Sequence, residues 1–202
     1  MTNNKCRCSW CGDDPLYQEY HDSEWGVPLY DERQLFELLI LEGAQAGLSW
    51  ITVLRKRENY RLAFDNFDPH KIARYSDAKK AKLLLNEGII RNRLKIDSVV
   101  KNAQAYLAMK KAGENFSDFL WGFAGGKPRQ NAWQKLSDAA TSTPESDAMS
   151  KALKQKGFNF VGSTICYAFM QASGMVNDHV IDCYRHKECA KLGKRSPSQL
   201  GV

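Results

Sequence analysis

Along this chain apolar residues recur at spacings of three and four and almost nowhere at two, the signature of amphipathic helices. The clearest run begins at Asp31, which with Gln34 three residues on makes a capping-box-like start. It puts Leu35, Leu38, Leu39, Glu42 and Ala46 on one face before a glycine break at Gly43 and Gly47. Asp14-Pro15 opens a shorter helix with Tyr17, Tyr20 and His21 on one side, ended by Glu24-Trp25-Gly26-Val27-Pro28. Asp68-Pro69 starts another, and Ser76-Asp77 opens a helix from Ala78 to Glu87 that Gly88 stops as a C′ glycine. Ile89-Ile90-Arg91-Asn92-Arg93 then turns into a longer helix through about Lys111, with Ile96, Val99, Val100, Ala103, Tyr106 and Leu107 inward. Gly113 to Thr143 is looser, with short helices around the aromatic segment Phe116 to Phe123. Thr143-Pro144 caps Glu145 to Lys156, and Ser163 to Ser173 is an apolar helix. Sustained alternation is absent, as is any hairpin dipeptide between β-branched runs, so the fold expected is all-α. We find no internal repeat and expect residues 1–202 to form a single compact unit with a loose basic tail from Lys191 to Val202.

Composition changes this picture little. With 202 residues, 43% hydrophobic and 26% charged, the chain is an ordinary globular protein. A net charge of +6 and a pI near 9.0 bias it mildly toward polyanions. The N-terminus has no apolar signal core, and no run reaches the roughly 20 apolar residues of a membrane span, so a cytoplasmic location without a membrane partner is expected. In a reducing compartment the six cysteines argue for metal ligation or burial over disulfides. A helix, a tight turn at Gly88 and a second helix can present backbone amides to a phosphate, with Arg91, Arg93 and Lys95 close by. The basic stretch Arg55 to Arg61 reads as a solvated helix face.

Two groups of residues carry candidate chemistry. Glu42 lies on an apolar stripe in a last helical turn, where neither hydration nor the helix dipole favours a carboxylate. Either the helix frays at Gly43 and Glu42 enters water, or it faces a pocket with Trp50 as a wall and a raised pKa. His179 and Cys183, four residues apart, stand one helical turn from each other and supply half a tetrahedral metal site. Cys8 and His21 would complete a closed Cys2His2 set, structural and not catalytic, that staples the two ends of the chain. Cys6, Cys11, His186 and Cys189 have plausible spacing too, and unligated thiols are the third possibility.

Longer motifs narrow these choices. Asp14-Pro15-Leu16-Tyr17 through Tyr20-His21-Asp22-x-Glu24-Trp25-Gly26-Val27-Pro28 is one, and Leu41-Glu42-Gly43-x-Gln45-Ala46-Gly47-Leu48-Ser49-Trp50 is a second. With Gly88-Ile89-Ile90-Arg91-Asn92-Arg93, Phe160-Val161-Gly162-x-Thr164-Ile165-Cys166-Tyr167 and Asn177-Asp178-His179-Val180-x-x-Cys183, they resemble the 3-methyladenine DNA glycosylase I (Tag) family in one register from about Cys8 to Cys183. The resemblance implies a helix-hairpin-helix glycosylase fold whose hairpin at Gly88 to Arg93 grips DNA backbone. It also implies structural zinc, one ion per chain, on Cys8, His21, His179 and Cys183. It assigns a base pocket to Glu42, Tyr20 and Trp50, with Trp10 and Tyr17 as further walls, and puts Gln45 and Leu48 at the DNA surface, Leu48 as a wedge. Cys6, Cys11, His186 and Cys189 have no counterpart in the pattern.

The activity implied is release of 3-methyladenine from alkylated double-stranded DNA by a monomer, with the free base as product. Alkylation at N3 makes the base cationic, so ring faces and a buried carboxylate would select it by charge. The hairpin has no lysine followed by a well-placed aspartate for Schiff-base chemistry, so no strand cleavage is expected. The rivals are a non-catalytic, zinc-stapled DNA-binding module and a hydrolase with catalytic zinc, against which four protein ligands argue.

Overall fold

The computed structural model describes residues 5–193. Among them lie the helices α1 (Pro15–Ser23), α2 (Glu32–Gln45), α3 (Trp50–Leu54), α4 (Arg57–Ala63), α5 (Pro69–Ile72) and α6 (Asp77–Leu85). After these come α7 (Arg93–Lys111), α8 (Phe116–Gly122), α9 (Pro144–Gln155), α10 (Ser163–Ala172) and α11 (Tyr184–Leu192). The fold is mostly helical. The strands among the described residues form a two-residue parallel bridge, β1 (Arg129–Gln130) against β2 (Val176–Asn177), too short to leave an alternating pattern in the sequence.

Side-chain caps start the helices where the sequence indicates. Asp14 accepts from the Tyr17 amide, Asp31 from Gln34 at 2.8 Å, and Thr143 and Ser146 close a reciprocal box. α2 is the hub, packing against α3, α7, α8 and α10. From Leu39 to Ala44 every residue is buried, so the second half of the helix is enclosed on all sides, while Arg33 and Gln34 in its first turn are exposed.

Several expectations about glycines and ends are corrected. Gly43 does not break α2, which continues to Gln45. It is small because Phe160 lies on it, and a Cβ there would come within 3.2 Å of the Phe160 Cβ. The turn belongs to Gly47, at a φ of +77° that side chains resist. α6 ends at Leu85, short of Glu87, and Gly88 is not a left-handed cap. A Cβ at Gly88 would meet Asn59 at 3.0 Å, so close approach explains it. Lys191 and Leu192 complete α11 and are not loose, while residues 194–202 of the expected tail lie outside the described residues. The basic stretch is not a free solvated face. Arg55, Arg57 and Arg61 are paired with Asp14, Glu24 and Glu37, tying α3 and α4 to the elements beside them.

Candidate active site and metal centre

Glu42, one turn from the end of the hub helix, faces a cavity of about 220 Å³. Trp10, Tyr17, Tyr20 and Trp50 line it with Gln45, so the expected pocket residues converge from three elements and the turn before α1. The rings meet edge to face or tilted: Trp10 and Tyr17 have centroids 4.9 Å apart at 61°, and Tyr20 and Trp50 5.4 Å apart at 44°. α1 carries Tyr17 and Tyr20 one turn apart, and Ser49 bonded to Thr52 steadies the first turn of α3 below Trp50.

Glu42 does not enter water. It is 2% exposed, and its Oε2 has no hydrogen-bond partner. Burial pushes its carboxyl up to about 8, the direction its apolar surroundings predict, so by itself it favours the neutral acid at pH 7 and not the anion that selection by charge requires. Burial and then the nearby Glu42 raise Tyr20 well above the usual phenol range. Trp10 Nε1 and Trp50 Nε1 are likewise buried without partners. Native interiors leave few polar groups in that state, and three around one small cavity mark a place where a ligand supplies the missing contacts. A neighbouring cavity of about 250 Å³ shares the Tyr20 and Trp50 walls. Its charges pair with one another, Arg57 with Glu24 and Arg61 with Glu37, so it makes no comparable demand.

Of the residues expected at DNA, Gln45 lines the cavity, Leu48 follows it in the chain, and Gly88, Arg91 and Arg93 lie between α6 and the start of α7. Gln45 is half-buried, and Leu48 is 41% exposed just past the Gly47 turn. Arg91 and Arg93 are exposed, Arg91 beside Glu87, and Gly88 is half-buried. Lys95, read from sequence with the phosphate-facing cations, is committed elsewhere. Its Nζ donates to the carbonyls of Ala44 and Ala46 at 2.8 and 2.7 Å, capping α2 and joining it to α7.

On the far side of α1, four donor atoms from Cys8, His21, His179 and Cys183 lie within 4.8 Å of one another, all four residues buried. The cluster could hold a metal ion. Cys183 Sγ is 3.4 Å from His21 Nε2 and 3.5 Å from His179 Nδ1, and Cys8 Sγ is 3.5 Å from His179 Nδ1. The outer ring nitrogens are held by the protein. His21 Nδ1 meets Asp22 at 2.8 Å, and His179 Nε2 donates to the Trp25 carbonyl at 3.0 Å. Each ring therefore turns its remaining nitrogen inward, the arrangement metal-ligating histidines adopt. Burial alone would raise the Asp22 carboxyl, but Arg7 and then His21 hold it well below the usual range. Between the two thiols, the contact with Cys183 and burial raise Cys8, and the contact with Cys8 lowers Cys183.

His179 and Cys183 are not on a helix, as their spacing had suggested. They flank a turn in which the Cys183 amide donates to Val180 O at 2.9 Å, and α11 begins only at Tyr184. Cys6 is exposed, Cys11 donates to the Cys8 carbonyl, and His186 meets the Asn131 carbonyl, so these stand outside the cluster with the buried Cys189. Sequence reasoning missed three cavity residues, Trp25, Ala168 and Gln171. It also missed Asp22 and the Trp25 carbonyl as the groups that orient the imidazoles. Asp22 lay beside His21 in a motif, a usable signal, whereas a carbonyl leaves none.

A family profile described as methyladenine glycosylase matches residues 10–186. The chain is 56% identical over 177 residues, 88% of its own length and 95% of the relative's, to DNA-3-methyladenine glycosylase 1 of Escherichia coli (strain K12). A crystal structure of 3-methyladenine DNA glycosylase I superposes with a TM-score of 0.88 at 56% identity, covering 89% of this chain and 98% of that one. A tyrosine-to-phenylalanine variant of such a glycosylase, solved in complex with 3-methyladenine, gives a TM-score of 0.85 at 39% identity, covering 88% and 96%.

Proposed function

The chain belongs to the methyladenine glycosylase family, and from that premise we infer that Glu42 and the rings around it bind the base it excises. The enzyme hydrolyses the N-glycosidic bond of 3-methyladenine in alkylated DNA. The observation that carries the assignment of the pocket is the buried, unpartnered carboxyl oxygen of Glu42 among Trp10, Tyr17, Tyr20 and Trp50.

N3 alkylation leaves the nucleobase cationic while it is bound to sugar. When the C1′–N9 bond breaks, its electron pair neutralises the purine, water adds at C1′, and a proton is released. Such a leaving group needs little acid assistance. The protein's work is to take the nucleotide out of the stack, hold it and reject ordinary bases. Ring faces attract the cation by about 0.5 to 2 kcal/mol per contact. A cation against Glu42 also reverses the effect of burial, so the carboxyl gives up its proton as the lesion enters and then accepts from the exocyclic amine, a contact of about 1.5 to 3 kcal/mol. An uncharged adenine gives no such compensation, and the cost of ionising Glu42 counts against it.

Leu48, exposed beside Gln45 at the cavity mouth, is the wedge in this reading. Gly88, Arg91 and Arg93 on the α6–α7 turn meet the phosphates as a helix-hairpin-helix element. Cys8, His21, His179 and Cys183 would hold zinc. A tetrahedral zinc with the usual bond lengths has sulfur-to-nitrogen edges of about 3.6 Å, and the separations of 3.4 to 3.5 Å support that fit. With four protein ligands the ion would supply cross-linking and no open position for chemistry. On the same reading the chain is one unit over residues 1–202, a cytoplasmic monomer acting on double-stranded DNA without strand cleavage. An apolar cluster continuous from Cys8 to Cys183 supports the single unit, and no helix among the described residues is long and apolar enough to cross a membrane.

Glu42→Gln tests the pocket. We expect kcat/KM for release of 3-methyladenine from methylated DNA to fall about 10- to 150-fold, the equivalent of 1.5 to 3 kcal/mol. Excision and free-base affinity both equal to the parent's would overturn the assignment.

A further inference from the structure

We propose that Gln171 is a second reader of the alkylated base, and that its side-chain oxygen makes the pocket prefer the adenine lesion to the guanine lesion. The inference rests on the base-pocket reading above.

Gln171 lies on α10 and lines the Glu42 cavity. Its orientation is not free. The Nε2 donates at 2.8 Å to Asp178 Oδ2, which also accepts from the Tyr167 hydroxyl at 2.7 Å. Asp178 Oδ1 takes the Asn131 amide at 2.6 Å and the Trp133 indole at 2.8 Å. Asp178 is 1% exposed, and with four donors its two oxygens have their lone-pair sites filled. The Asn131 amide, the Trp133 indole and the Tyr167 hydroxyl already point donors at this carboxyl group, so rotating the Gln171 amide by half a turn would replace a donor with an oxygen facing an oxygen in a buried site. The amide is thereby locked with nitrogen toward Asp178 and oxygen away from it. No donor from the described residues meets that oxygen, although the residue borders the cavity.

The cavity is then bordered by two acceptors without a protein donor: the half-buried Gln171 amide oxygen, which no donor of the described residues meets, and the fully buried Oε2 of Glu42. An exocyclic amine on the purine 6-position has two N–H groups to offer. A guanine lesion carries a carbonyl oxygen at that position and would face acceptors with an acceptor. Neither stacking nor charge separates the two lesions, since N3 alkylation makes both purines cationic. What separates them is the 2-amino group that only guanine must fit and the hydrogen bonding at the 6-position, and a site built around a donor rejects an analogue lacking one far more strongly than an apolar site can.

The test uses the full, metal-loaded chain on DNA carrying both 3-methyladenine and 3-methylguanine, with release of each base followed by chromatography. Gln171→Met keeps the length of the side chain and removes both polar atoms. Gln171→Ala serves if the methionine variant does not fold, as judged by its thermal transition. We expect kcat/KM for the adenine lesion to fall about tenfold with release of the guanine lesion unchanged or increased, so that the ratio of the two drops at least tenfold. A folded variant that keeps the parent's ratio, whether by losing both activities equally or neither, overturns the proposal. Glu42→Gln run alongside separates the two levels. If it loses activity while Gln171→Met keeps the ratio, only the role of Gln171 is wrong, and if Glu42→Gln is fully active, the pocket itself is misassigned.

Discussion

Tyr20 and His21 are consecutive on α1, yet they serve regions built on opposite principles. Tyr20 faces the cavity, where Glu42 Oε2, Trp10 Nε1 and Trp50 Nε1 are buried without partners. His21 faces the Cys2His2 cluster, where each imidazole is held from behind, by Asp22 and by the Trp25 carbonyl, and Asp22 is in turn held by Arg7 at 2.7 Å. The regions share a wall: the Trp25 ring lines the cavity, lies 4.6 Å from the His179 ring and 5.0 Å from Trp10, and the Trp25 carbonyl accepts from His179. The difference is one of hydrogen-bond accounting. Where the protein satisfies its own buried groups, the arrangement serves the fold, and where it leaves them wanting, a ligand completes it. Stability should therefore reside in the first region and activity in the second.

The largest effect that would break this division is at the cluster. On the zinc reading, His179→Ala or Cys183→Ser removes a ligand and prolonged chelation removes the ion, each leaving buried polar groups uncompensated, a loss of about 3 to 5 kcal/mol or more. For a chain of this size each kcal/mol is worth roughly 2 to 4 °C, so calorimetry should show the Tm falling by about 10 °C or more. A Tm unaltered by loss of the metal would erase the distinction.

Glu42→Gln should do the reverse, lowering activity and raising stability in a pH-dependent way. Below about pH 4.5, the ordinary value, Glu42 is protonated both folded and unfolded and costs nothing. As pH rises from there the unfolded chain ionises while burial keeps the folded carboxyl neutral, so stability drains away until about pH 8, where the folded group ionises too. The full loss is on the order of a few kcal/mol, at about 1.4 per pKa unit. The variant should match the parent near pH 4.5 and gain over it steadily to pH 8 or 9 in denaturant titrations. A constant difference across that range would show that Glu42 is not the isolated buried acid described.

These contrasts explain what could be read from the sequence. Helix starts were legible because they depend on local chemistry: Asp14, Asp31, Ser76 and Thr143 each accept from the amide three residues on. That Tyr20, Glu42 and Trp50 share a cavity, and that Cys8, His21, His179 and Cys183 come together, was legible because motifs keep them in register. Gly43 and Gly88 were misread as helix stops because what makes them small, Phe160 and Asn59, lies far away in the chain. His179 and Cys183 were assigned a helical turn because a spacing of four reports separation and not backbone shape. Gln171 escaped notice because an amide on a helix has no pattern of its own until Asp178 fixes which end faces the cavity.

A smaller effect sharpens the comparison at the cluster's outer edge. Asp22→Asn keeps the shape of the side chain but removes the charge that orients His21 and binds Arg7. Outer partners of metal-bound histidines are typically worth 10- to 100-fold in metal affinity. We expect competition with a chelator to reveal a loss in that range, with excision by the metal-saturated protein close to the parent's. A variant with full metal affinity would mean that the ring is held by packing alone.

Lys95 tests whether satisfied polarity can also serve the cavity at a distance. Its ammonium bonds the Ala44 and Ala46 carbonyls on either side of Gln45, at the end of the helix that carries Glu42. Charged donors at helix C-termini stabilise by about 0.3 to 1 kcal/mol through the dipole, and a charged hydrogen bond by somewhat more. Lys95→Met keeps the apolar stem and should lower Tm by only a few degrees, near 1 kcal/mol at the 2 to 4 °C per kcal/mol expected here. If α2 and α7 move together because of this link, free-base binding at Glu42 should be retained while kcat on DNA drops several-fold, since the Gln45 to Leu48 turn would no longer be fixed relative to the α6–α7 turn. Loss of base affinity in step with kcat would instead make Lys95 a support of the cavity itself, and the two regions would then not be the only places where polarity has been divided between fold and function.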